Sequence, residues 1–167
     1  MSPINEEIYN TVRFHAAVNN PLFWLRTAES LRLAAHRLGW DRDNEEYTPG
    51  AFSIYRLLFG LAMENLLKGI LIAFGYKAYD GKQLQSSFAN HHLKHLAHLV
   101  NGQNPILSSQ DIRILERMES FIRLAGRYPI AKTENDQFIR SYSSGEYETE
   151  MELYERLRQH LATTIGL

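Results

Sequence analysis

The chain has 167 residues, 44% of them hydrophobic and 22% charged, with a formal net charge of -1. That is the size and make-up of one globular domain able to bury a sound core, and it lacks the broad basic excess of a protein that grips duplex nucleic acid along its surface. Cysteine is absent, which excludes disulfides, thiolate catalysis and cysteine-type zinc sites and fits a reducing cytoplasm.

The acidic opening, MSPINEEIYN, has none of the basic-then-apolar order of a secretory signal, so a cytoplasmic protein is expected. Ile4, Ile8, Val12 and Phe14 recur near helical spacing and predict a short helix over residues 4–18, an accessory segment within residues 1–20 that Asn19-Asn20 stops. Asn20-Pro21 then announces the first main helix, because an Asn side chain caps free backbone amides and proline fits the first helical position. Leu22, Leu25, Ala28, Leu31 or Leu33, Ala35 and Leu38 form its apolar stripe, and Gly39 sits where a terminating residue is wanted. Residues 40–50, WDRDNEEYTPG, are acidic and end in Pro-Gly, which predicts a surface connection.

Residues 52–75, FSIYRLLFGLAMENLLKGILIAFG, are apolar on nearly every side. A helix of that composition is buried by neighbours all round, and at 1.5 Å per residue it spans about 36 Å. It is the expected central pillar. Arg56, Glu64, Asn65 and Lys68 fall inside it, and charges at mid-membrane cost roughly 2.5–3.5 kcal/mol each, so no membrane span is expected.

Residues 76–90 hold Gly81, two serines and no sustained period, and read as a long loop. Asn90 is expected to cap a helix, HHLKHLAHLVNG, with Leu93, Leu96, Ala97 and Val100 on one face and His91, His95 and His98 on the opposite one. Ser108 or Ser109, with Asp111 close behind, predicts the next N-terminus. There Leu115, Met118, Ile122 and Ala125 face inward, Arg113, Arg117 and Arg127 point away, and the helix ends near Gly126. A polar run around Pro129 predicts irregular backbone, and a last helix begins near Glu146 and packs through Tyr147, Met151, Tyr154, Leu157 and Leu161. No stretch alternates with period two and nothing repeats at a longer one. The expected fold is all-α, an up-and-down bundle of four to five helices over residues 21–164 of a single domain spanning residues 1–167.

Three motifs occur in a definite order: AMENLLKGILIA in the pillar, then H-x-L-x-x-L-A made by His91, Leu93, Leu96 and Ala97, then RYP at Arg127, Tyr128 and Pro129. In that order and rough spacing, over about residues 22–162, the chain resembles HEPN domains, and the GRYP variant of the nucleotidyltransferase-associated group in particular. The resemblance implies a dimeric bundle of four or five helices from prokaryotic toxin–antitoxin, defence or nucleotide-handling systems, with a nucleotidyltransferase as one partner protein. Many HEPN members are metal-independent ribonucleases whose motif is Arg, four to six residues, then His. That spacing does not occur here; Arg32 and His36, and Arg156 and His160, have three residues between them. The expectation is therefore a non-catalytic or degenerate HEPN-like module that binds a partner protein, a nucleotide or single-stranded RNA. Two alternatives stand beside it: a metal-independent ribonuclease drawing His and Arg from different helices, and a scaffold that only docks another protein.

Glu64 and Lys68 are one helical turn apart in the favourable order for an ion pair. Either they are a structural pair, or Glu64, Asn65 and Lys68 line a cleft beside the pillar together with His91 and His95. Of the i, i+4, i+7 histidines, the outer two are about 10 Å of helical rise apart and cannot readily share one metal ion. The plain reading of that face is a solvated or partner-facing one. Arg123 and Arg127 lie one turn apart ahead of Tyr128; forked guanidinium donors suit phosphate and a tyrosine ring can stack on a base, while the structural alternative is neutralisation of Glu116, Glu119 or the helix end. No Gly-rich phosphate loop, nucleophile elbow or HExxH occurs. No catalytic residue, cofactor or metal is assigned.

Overall fold

The apolar run of residues 52–75 forms a helix around which the other helices gather. A computed structural model describes residues 14, 16–38, 49–125 and 144–167. Its elements are α1 (Pro21–Arg37), α2 (Pro49–Ala73), the single-turn α3 (Ser86–Ala89), α4 (Leu93–Gln103), α5 (Ser109–Ser120) continued by a π-helical turn (Phe121–Ala125), and α6 (Ser144–Thr164). Most of the expected N-terminal helix, most of the acidic connection at residues 40–50, and Arg127, Tyr128 and Pro129 lie outside the described residues. Among those described the protein is all-α, with one isolated bridge, Tyr79 to Leu84, and no strand. No helix among them is long and apolar enough to cross a membrane.

The helix ends follow local chemistry. At α1 the Asn20 side chain accepts a hydrogen bond from Leu22 N at 3.0 Å and Pro21 takes the first position. Leu31, not Leu33, belongs to the packed stripe, and Leu33 and Leu38 are exposed. α2 begins three residues earlier than expected, at Pro49, and closes after Ala73 with Gly75 at φ 92°. Gly75 N donates to Ile72 O and Tyr76 N to Leu71 O, which satisfies two of the last carbonyls of α2 and requires the left-handed backbone that glycine adopts without strain.

The expected loop at residues 76–90 is more ordered than its composition suggests. Asn19 Oδ1 accepts from Ala78 N and Tyr79 N, and its amide donates to Tyr79 O, so the residue preceding the α1 cap fastens this segment. Asn90 does not cap α4; its Oδ1 accepts from His92 N while its amide donates to Ser86 O, and α4 starts only at Leu93. An Asn that binds its own backbone two residues on makes a turn and postpones the helix.

α5 opens as expected with Ser108, whose hydroxyl accepts from Asp111 N while Asp111 accepts from Ser108 N and Oγ. Burial pushes the Asp111 carboxyl up, but the Ser108 donors and Arg156 at 2.5 Å outweigh it and hold the carboxyl below its ordinary range.

α1, α4, α5 with its π turn, and α6 all pack on α2. Phe59, Met63, Leu66, Leu67, Ile70 and Leu71 of α2 are fully buried, and Leu93, Leu96, Ile114, Met118, Leu157 and Leu161 close over them. Two glycines of α2 permit the approach. A Cβ at Gly60 would lie 2.7 Å from Ile122 Cγ1 of the π turn, and one at Gly69 would lie 2.7 Å from Leu161 Cδ2. Alanine is the better helix former by about 1 kcal/mol, yet forcing a methyl against the stiff β-branched Ile122 costs typically 1–3 kcal/mol. Gly60→Ala is therefore expected to lower stability by up to about 2 kcal/mol, read as a lower urea midpoint with an unchanged slope.

Candidate functional site

Three groups of polar side chains meet the pillar or its neighbours, and each does something different. The first is the interruption of the apolar run. Lys68 Nζ donates to Glu64 Oε1 at 2.5 Å, to Phe88 O at 2.7 Å and to Asn90 O at 3.2 Å, and lies 5.8 Å from the centre of the Trp24 ring. Glu64 and Lys68 are each 4% exposed. The other carboxylate oxygen of Glu64 is 2.8 Å from His91 Nδ1, so an ionised Glu64 places the imidazole proton on that nitrogen. An ammonium has three protons, and all three of Lys68 are used inside the protein. The pair is therefore structural: it ties residues 88–91 to α2 and satisfies two charges that burial would otherwise make costly. Asn65 does not join it, since its amide donates to Leu61 O one turn back. His95 does not either; it is exposed on α4 and lines a different cavity.

In the second group Tyr147 and Tyr154 were expected on the packing face of the last helix, but the pairing of Arg56 with Glu150 was not foreseen. Arg56 of α2 pairs with Glu150 of α6, both at most 2% exposed, and the guanidinium lies 4.8 Å from the Phe121 ring centre. Burial, with Tyr147 and Glu150 nearby, pushes the adjacent Tyr55 hydroxyl well above its ordinary range. Burial also moves Tyr154 up to about 12, against Arg32 which favours its ionised form. Both phenols stay neutral at physiological pH. The register of α6 carried the missing signal, because Glu150 falls in line with Tyr154, Leu157 and Leu161 on the packed stripe.

The third group lines an open cleft of about 480 Å³ between α4 and the end of α5. α4 contributes Lys94, His95 and His98, with His92 at its N-cap, and α5 with its π turn contributes Glu116, Glu119, Ser120 and Arg123. Glu119 is the hub. Its Oε1 lies 2.9 Å from His92 Nδ1 and 3.3 Å from an Arg123 nitrogen, and its Oε2 accepts from the Lys94 backbone N at 3.2 Å. The Lys94 ammonium donates instead to Glu116 at 2.7 Å, with both side chains about half exposed. Arg123 belongs to the π turn, a widened turn of a kind found often at functional sites.

The structure thus divides the predicted histidine face. His91 turns to Glu64, whereas His95 and His98 join His92 in the cleft. Of the predicted phosphate group, Arg123 lines that cleft, and Arg127 and Tyr128 lie outside the described residues. His92, Lys94, Glu116 and Glu119 were not singled out as site residues. The available signal was the polar stripe of α5, in which residues 116, 119, 120 and 123 recur at helical spacing opposite a His- and Lys-bearing face. Among the described residues no group of three His, Asp or Glu side chains is placed to hold a metal ion.

The structural role of the first group has a measurable consequence. Lys68→Ala should lower stability by roughly 3 kcal/mol, within the range for breaking a buried pair. In a double-mutant cycle with Glu64→Gln the two changes should be far from additive, by more than about 1 kcal/mol in urea denaturation. Additive effects would show that the two groups do not stabilise one another. No protein-family model, characterised protein or solved structure matches this chain.

Proposed function

We propose that this protein is a HEPN-like helical module, dimeric and without catalytic activity of its own, that binds the phosphate of a nucleotide or of single-stranded RNA in the α4–α5 cleft. The observation that carries the reading is the convergence of Lys94, Arg123 and three histidines on one side of the bundle, in a cleft roomy enough for a nucleotide-sized ligand. Guanidinium and ammonium groups supply charge-assisted donors to phosphate oxygens. Arg127 and Tyr128 follow Arg123 closely in sequence and extend the same cationic and aromatic chemistry. A partner protein, such as a nucleotidyltransferase, enters through the family resemblance alone.

Purified protein should bind 5′-AMP and a short single-stranded oligoribonucleotide in a salt-sensitive manner. Arg123→Ala should weaken both roughly tenfold, as expected for loss of one charged hydrogen bond, with little change in melting temperature because Arg123 is exposed. Absence of binding at low salt would reject the reading.

One observation favours a second reading, a metal-independent ribonuclease. A histidine whose Nδ1 is held by a carboxylate, as His92 is by Glu119, keeps the other ring nitrogen for proton transfer, and Arg123 beside it suits the charge that develops on a phosphorane. On that reading, single-stranded RNA is cut in the presence of chelator and His92→Ala abolishes the cleavage. RNA that stays intact between about pH 5 and 8 would leave the binding function alone.

A further inference from the structure

The cleft is not simply a cationic pocket. With neutral histidines its two cations, Lys94 and Arg123, are matched by two carboxylates, Glu116 and Glu119. The two acids differ in how they are held. Glu116 is about half exposed and meets only the flexible end of Lys94. Glu119 is mostly buried, and its carboxylate takes three donors of different origin: the His92 ring, the Arg123 guanidinium and the backbone N–H at the second residue of α4. A backbone N–H at a helix start, a guanidinium and an imidazole N–H are the donors that commonly bind a phosphate. Here a carboxylate from the protein's own α5 already sits among them.

Resting on the cleft reading above, we infer that Glu119 is an internal stand-in for phosphate, and that the ligand able to displace it is a phosphate monoester rather than an internal phosphodiester. The argument is one of charge and tethering. A carboxylate fixed on α5 faces its donors at an effective concentration that a free ligand must overcome. An internal phosphodiester carries one negative charge, the same as the group it would replace. A monoester carries about 1.5 to 2 negative charges near pH 7 and three terminal oxygens, one for each donor that Glu119 now occupies. The exchange therefore favours a terminal phosphate, on a nucleotide or at the end of an RNA strand. Lys94 adds to the preference, because its exposed pair with Glu116 contributes little and is readily given up.

Calorimetric titration with 5′-AMP, 3′,5′-cyclic AMP and adenosine tests the inference directly. The wild-type protein should bind 5′-AMP at least tenfold more tightly than cyclic AMP, and adenosine hardly at all. Glu119→Gln keeps the size of the side chain and an acceptor for the Lys94 amide but removes the competing charge. It should bind both nucleotides several-fold more tightly and narrow the difference between them. If that variant melts too low for titration, the Lys94 amide resonance of the wild-type protein reports the same event, shifting with 5′-AMP and staying in place with adenosine. A Glu119→Gln protein that binds 5′-AMP no better than wild type, or a Lys94 amide unmoved at saturating 5′-AMP, would overturn the inference and leave the cleft reading standing. Failure of both proteins to bind 5′-AMP removes both.

Discussion

Burial of α2 over most of its circumference is the constraint that the rest of the molecule obeys; against the sequence expectation of burial all round, the face carrying Ile54, Leu57, Leu58, Leu61 and Asn65 stays partly open. A helix surrounded by neighbours cannot leave a charge without a partner, since an isolated ion in a low-dielectric interior is far less stable than in water. Its three buried charges are therefore each answered from a specific place: Lys68 by Glu64 and two carbonyls of the segment before α4, Arg56 by Glu150 of α6. These answers fix more than charge. They set the register of α6 against α2 and pin the approach to α4, which in turn presents His92, Lys94, His95 and His98 towards α5.

The polar groups thus divide by depth. Those that touch α2, Glu64 with Lys68 and Arg56 with Glu150, are buried ion pairs and serve the fold. Those one layer out, between α4 and α5, are held by exposed or half-exposed bonds that can be exchanged for bonds to a ligand. Depth explains why Glu64 and Lys68, conspicuous against an apolar background, belong to the scaffold, while Glu119 and Arg123, ordinary against a polar helix, belong to the cleft. Asp111 stands between the two classes: buried, bonded by Ser108 and reached by Arg156 from α6, it contributes stability above the ordinary carboxylate range that is lost as the pH falls through its depressed value.

Helix existence and the inward faces were legible because period and capping chemistry act locally. Asn20-Pro21, Ser108 with Asp111, and the run through α2 each stated their element in a few residues. What was not legible was long-range pairing. Nothing within ten residues of Arg56 names Glu150, and nothing around His92 names Glu119, because those partnerships exist only once α2, α4, α5 and α6 are assembled. Asn90 misled for a related reason: the same side chain can cap a helix or close a turn, and only the position of Ser86 decides which.

The widened turn at Phe121–Ala125 carries a last implication. A π turn holds one residue more than an α-helical turn, so successive side chains within it are separated by less than the roughly 100° step of an α-helix. Phe121 and Ile122 can therefore both be buried in succession while Arg123 emerges beside Glu119. Within this one turn the rod passes from the core contacts of Phe121 and Ile122 to the exposed, cleft-lining chemistry of Arg123.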